Sequence, residues 1–106
     1  METKTAAYYF KEASDLLKSG APSVANEQID IALKLNGDHV WLLWCYFNNL
    51  IELVPNQLLV IVNKLIDKYP CIDSLYNFRR LVNVELGLFK NATNDNQLYL
   101  KYSSKL

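Results

Sequence analysis

Cysteine, glycine and proline are all scarce in this chain of 106 residues, with two, three and three copies respectively. The two cysteines, Cys45 and Cys71, are spaced like neither a CxxC pair nor a metal knuckle, which argues against a disulfide framework. They read instead as buried, reduced thiols in apolar surroundings. Few glycines and prolines leave little material for tight turns, and this favours long helices over a many-stranded sheet. Histidine occurs once, as His39. One histidine and two separated cysteines do not supply the usual ligands of a structural zinc site, so no metal and no cofactor is expected. An excess of charge of one sign is also missing: eleven basic residues balance eleven acidic ones, and the pI is near 6.5. No net field therefore draws the chain to phosphate backbones or acidic lipid.

Long apolar runs are missing too. The longest, Val40 to Phe47, is far short of the roughly twenty residues a membrane span requires. Beyond it Asn48, Asn49, Glu52, Pro55, Asn56 and Gln57 interrupt the pattern, so no membrane crossing is expected. The opening Met1-Glu2-Thr3-Lys4-Thr5 has mixed polarity and no apolar stretch, which predicts an intracellular address, cytoplasmic or nuclear. Asn91-Ala92-Thr93 fits a glycosylation acceptor, but without export it is read as a loop. GxxxxGK[ST], GxGxxG and HExxH do not occur. Asp38 and His39 are neighbours in sequence and so point in different directions on a helix, which makes no catalytic dyad. Glu52 and Glu85 read as capping or pairing residues, not as an acid-base pair. No enzymatic activity is expected.

What the chain has is core-forming material: 51% apolar and 12% aromatic residues. Ala6, Tyr9, Phe10, Ala13, Leu16 and Leu17 recur at steps of three and four, opposite Lys11, Glu12, Asp15 and Lys18, and predict a first helix over 3–18 closed by Gly20. A second starts at Pro22-Ser23 and runs to about Asn36, with Gly37 as the left-handed residue past its end. Asp38 caps a third, His39 to about Leu53, and Val54-Pro55-Asn56 breaks it before a fourth, Gln57 to Lys68. Asp73 or Ser74 caps a fifth reaching about Leu86, with Gly87 near its close. A short sixth is expected over about 95–103.

Six helices with short connections make consecutive helices antiparallel neighbours. The fold expected is therefore all-α, three stacked antiparallel hairpins (about 3–36, 38–68 and 73–103) in one domain, 1–106. The middle pair is apolar nearly all round and is expected to be covered on several sides. The apolar C-terminal segment Leu98, Tyr99, Leu100, Tyr102, Leu106 either folds back as the capping helix of the last hairpin or docks on another chain.

Aligning 32–38 with 65–71 gives an offset of 33 residues, a period that belongs to helix-turn-helix repeats of about 34. The segment 6–39 resembles a tetratricopeptide repeat: Ala13, Ala25 and Ala32 stand where that family prefers small residues, Tyr9 and Ile29 match its bulky positions, and Gly37 stands in place of its usual Pro. In the second unit Phe47, Leu58 and Leu65 replace the small residues. The text Trp41-Leu42-Leu43-Trp44 with Phe47, Ile51 and Glu52, then Leu65 to Pro70, is more similar to the half-a-tetratricopeptide variant. Tyr76, Phe78 and Glu85 repeat that spacing in the third unit, so the resemblance covers about residues 6–90.

The resemblance implies a scaffold whose concave groove holds a peptide or a partner helix. The carboxylate-gripping version of such a groove does not carry over, because the corresponding positions are Phe10, Ser14, Cys45, Ser74 and Phe78. The expected function is a non-catalytic protein-interaction module, or a small subunit of an intracellular complex, with Tyr9, Phe10, Ser14, Trp44 and Cys45 on or bordering the groove. Trp41 and Trp44 lie three apart on one helix face and read first as core, with an interface anchor as the alternative. Lys64, Lys68, Arg79 and Arg80, with Lys90, form a basic edge that supports a second reading, an RNA-associated helical subunit. A solvated face is the plainer account of those charges, since aromatics for base stacking are not interleaved with them. A regulatory subunit of an enzyme complex is the third reading. Partner identity and oligomeric state are open at this level.

Overall fold

The three-four periodicity is realised as helix throughout. The computed structural model describes residues 4–104, which form α1 (Ala6–Lys18), α2 (Pro22–Leu33), α3 (His39–Phe47), a 3-10 turn (Asn48–Leu50), α4 (Pro55–Lys68), α5 (Asp73–Glu85) and α6 (Phe89–Ser103), with no strand among them. The expected helix start at Thr3 and the apolar Leu106 lie outside the described residues. The chain divides into two compact units, Met1–Val54 and Pro55–Leu106. In the first, α1 packs on α2 and on α3; in the second, α5 packs on α6 and on α4. These pairings are consistent with the stacked hairpins expected.

Each boundary has a local cause. The Thr5 hydroxyl accepts from Tyr8 N at 3.3 Å and the Asp38 carboxylate from Trp41 N at 2.9 Å, capping α1 and α3. Pro22 and Pro55 are the first residues of α2 and α4. Pro55 thus begins a helix that the sequence starts at Gln57, because the first position leaves its N–H unpaired anyway. Gly20 (φ +85°) and Gly87 (φ +74°) close α1 and α5 in the same way. In each, the glycine N–H and the next residue's N–H reach back to two carbonyls of the last turn: Gly20 to Leu17 and Ala21 to Leu16, Gly87 to Val84 and Leu88 to Asn83. Gly37, expected to be left-handed, is not among the positive-φ residues.

Three further boundaries differ from expectation. The third helix ends as α-helix at Phe47 and tightens into the 3-10 turn, since Asn48-Asn49 hold a helix poorly. The second helix stops at Leu33, not near Asn36. The sixth helix starts at Phe89, so Asn91-Ala92-Thr93 is helical and not a loop. There Thr93 Oγ1 donates to Phe89 O at 3.0 Å, Ala92 is buried on the packed face and Asp95 is paired in the interior. Tertiary burial overrides the weak local propensity.

The core of the first unit holds Phe10, Ala13, Ala25, Ile29 and Ala32, all fully buried. Phe10 meets the rings of Phe47 and His39, each at 5.7 Å between centroids. His39 is buried as well, its Nε2 2.9 Å from Ala32 O. In the second unit Ile61, Leu65, Leu75, Phe78 and Val82 are fully buried. The C-terminal segment folds back as α6 on α5, where Tyr102 stacks on Tyr76 with centroids 5.4 Å apart.

Candidate functional site

The helical phase of α3 decides what the first unit offers. His39, Leu42, Leu43 and Phe47 point inward, which leaves the stripe through Trp41 and Cys45, one turn apart, on the outside. Trp41 is 59% exposed and Cys45 is exposed too. Both reverse an expectation: Trp41 is not core, and neither Cys45 nor Cys71, which sits in the α4–α5 turn, is a buried thiol.

The other groove residues fall into two groups. Phe10 and Ser14 lie inside the first unit, Ser14 donating to Tyr46 O at 2.8 Å. They hold α1 against α3 and have no surface to give a partner. Tyr9 and Trp44 are half-buried. Tyr9 meets the Tyr8 ring edge-on at 5.2 Å. Of the remaining positions compared with a carboxylate-gripping groove, Phe78 is fully buried and Ser74 half-buried.

The basic set does not form a free cationic face. Arg79 Nε and Nη2 lie 2.9 and 2.7 Å from Asp95 Oδ1, and Nη1 donates to Asn63 Oδ1 at 3.0 Å. Arg80 gives Nε and Nη2 to Asn77 on its own helix at 3.3 and 2.8 Å. Lys68 is exposed, its ammonium 5.4 Å from the Tyr69 ring centre, and Lys64 is half-buried.

Around the Arg79–Asp95 pair the second unit has a cavity of about 380 Å³ that sequence reasoning missed. Three helical stripes converge on it: Leu59 and Asn63 from α4, Arg79 and Asn83 from α5, and Asn91, Asn94, Asp95 and Leu98 from α6. The ion pair is largely interior, with side-chain exposures of 22% for Arg79 and 3% for Asp95. Asn83 Nδ2 donates to the second carboxylate oxygen at 2.7 Å, while its own carbonyl oxygen is buried without a donor. The signal that would have found the site is the 91, 94, 95, 98 spacing, which is one helix face. The Asn91-Ala92-Thr93 text masks it, because its local propensity is that of a loop. A smaller cavity of about 270 Å³ lies between Arg80 and Val84 of α5 and Phe89 and Thr93 of α6.

Among the described residues, no group of His, Cys, Asp or Glu is gathered to hold a metal ion, and no helix is long and apolar enough to cross a membrane. Compared with family models, curated proteins and solved structures, the chain matches none of them.

Proposed function

We propose that this chain is a non-catalytic protein-interaction module of the helical-repeat kind, docking a partner through the outer stripe of α3. The observation that carries the reading is Trp41, a large apolar side chain left 59% in water beside Cys45. Tryptophan is the residue type most enriched among interface anchors, because it brings large area at little entropy cost. The tetratricopeptide-like reading is supported by two features of the hairpins. α1 and α5 each run 13 residues, and their closing glycines stand 67 residues apart, close to two periods of about 34. Ala25 and Ala92, at the same place in the two second helices, are both buried. The RNA reading gains little from Arg79, whose charge is neutralised by Asp95, or from Arg80, whose guanidinium is bonded to Asn77.

The test compares the full-length chain with its Trp41→Ser variant as paired baits. A protein held by the first and lost by the second, at unchanged helical signal and melting temperature, is the expected result. Identical retention by both baits refutes the α3 anchor. Release by nuclease, or a steep fall in retention with rising salt, favours nucleic acid instead.

A further inference from the structure

We infer that the α4–α5–α6 cavity of the second unit is a binding site for a neutral carboxamide, presented by a peptide main chain or by an Asn or Gln side chain. The site belongs to one unit and does not rest on the role given to Trp41. Its lining is unusual in composition: Asn63, Asn83, Asn91 and Asn94 bring four carboxamides to one cavity of about 380 Å³. Each can both donate and accept, and the group that satisfies such a lining best is another amide. Leu59 and Leu98 supply apolar wall for the carbon skeleton attached to it.

Charge selects against ions of either sign. Arg79 is already neutralised, its Nη2 2.7 Å from Asp95 Oδ1. An anion would enter beside a buried carboxylate, and a cation beside a guanidinium. Arg79 nevertheless keeps donors for a neutral acceptor. Its five N–H groups serve Asp95 through Nε and Nη2 and Asn63 through Nη1, leaving one hydrogen on each terminal nitrogen. A second, independent observation points to a ligand with a donor. Asn83 is 2% exposed and gives its N–H to Asp95, but its carbonyl oxygen is buried with no partner. An unpaired buried acceptor is costly, and an N–H group bound against Asn83 removes the cost.

The test titrates the full-length chain, isotope-labelled for NMR, with four blocked amino acids: the N-acetyl N-methylamides of glycine, glutamine, glutamate and lysine. Saturable shifts of the Asn63, Asn83, Asn91 and Asn94 side-chain amides and of Arg79 Nε–H are expected with glycine or glutamine. The tighter of those two names the main chain or the side chain as the source. If glutamine is the tighter, glutamate and lysine should bind at least tenfold more weakly than glutamine. The double variant Asn91→Ala/Asn94→Ala, which alters exposed residues outside the ion-pair network, should keep its melting temperature and weaken binding at least fivefold. No saturable shift with glycine or glutamine overturns the proposal, as does glutamate binding more tightly than both, which would mark an anion site. Unweakened binding by the double variant at unchanged melting temperature also overturns it.

Discussion

Gly37 stands so close to the start of α1 that a Cβ placed on it would lie 3.0 Å from the Cβ of Ala6. The glycine is needed for this approach and not for a left-handed backbone. Gly37→Ala should therefore destabilise the fold by ~1–2 kcal/mol through overpacking, and Ala6→Gly in the same chain should recover part of the loss. Gly20→Ala makes the contrast. Nothing lies within 4 Å of its added Cβ, but φ is +85°, so it should cost about 1 kcal/mol of left-handed strain that Ala6→Gly leaves untouched. Urea unfolding of the four variants separates the two causes.

The Arg79–Asp95 pair is expected to be fragile to half-removal. Asp95→Ala leaves a guanidinium that is only 22% exposed without its counterion, and should cost about 3 kcal/mol. Replacing both partners, Arg79→Met with Asp95→Leu, should cost clearly less, because no buried charge is stranded. Equal losses in chemical denaturation would show that packing, not charge, holds α5 to α6 at this point.

Phe10 answers differently from a groove residue. It is fully buried between Phe47 and His39, so Phe10→Ala should cost ~3–5 kcal/mol and Phe10→Asp should abolish the helical signal of the first unit. Trp41→Ser, on the outside of α3, should stay within about 0.5 kcal/mol of the parent chain. Circular dichroism melts of the three check the assignment of core and surface.

Tyr76 ties stability to alkaline pH. Burial, reinforced by Tyr102, raises its phenol above the ordinary tyrosine value. A raised folded-state value means that the folded chain holds its proton longer, so this contribution is complete below about pH 10. It is then lost as pH rises through the folded value. Tyr76→Phe should remove that part of the alkaline decline. At neutral pH it should cost about 1 kcal/mol, since the hydroxyl donates to Pro70 O. Stability measured from pH 8 upward for both chains tests the sign.

Local signals carried the architecture. Three-four spacing, Asp38, Gly20, Gly87 and the prolines are each read within a turn of the chain, and the structure has its helices close to where they indicate. The candidate site was less legible. Phe10 and Cys45 looked alike as apolar helix positions, yet Phe10 is fully buried and Cys45 exposed. Which face of an almost wholly apolar α3 turns inward depends on what packs against it, and periodicity gives no answer when apolar residues surround the helix.

The same division holds for the polar cavity. The spacing of Asn91, Asn94, Asp95 and Leu98 lies in the sequence, but local propensity alone assigns Asn-rich text to a turn. Only packing against α5, with Arg79 and Asn83 meeting Asp95, makes 89–103 one helix and brings three stripes to one place. Composition and periodicity thus determined that this chain is helical and, at Gly20, Asp38, Pro55 and Gly87, where helices start or stop, because those choices are made by neighbouring residues. Which side chains are hidden, which are left in water and which polar groups meet was decided by tertiary contact, because residues far apart in the chain compete for the same buried space.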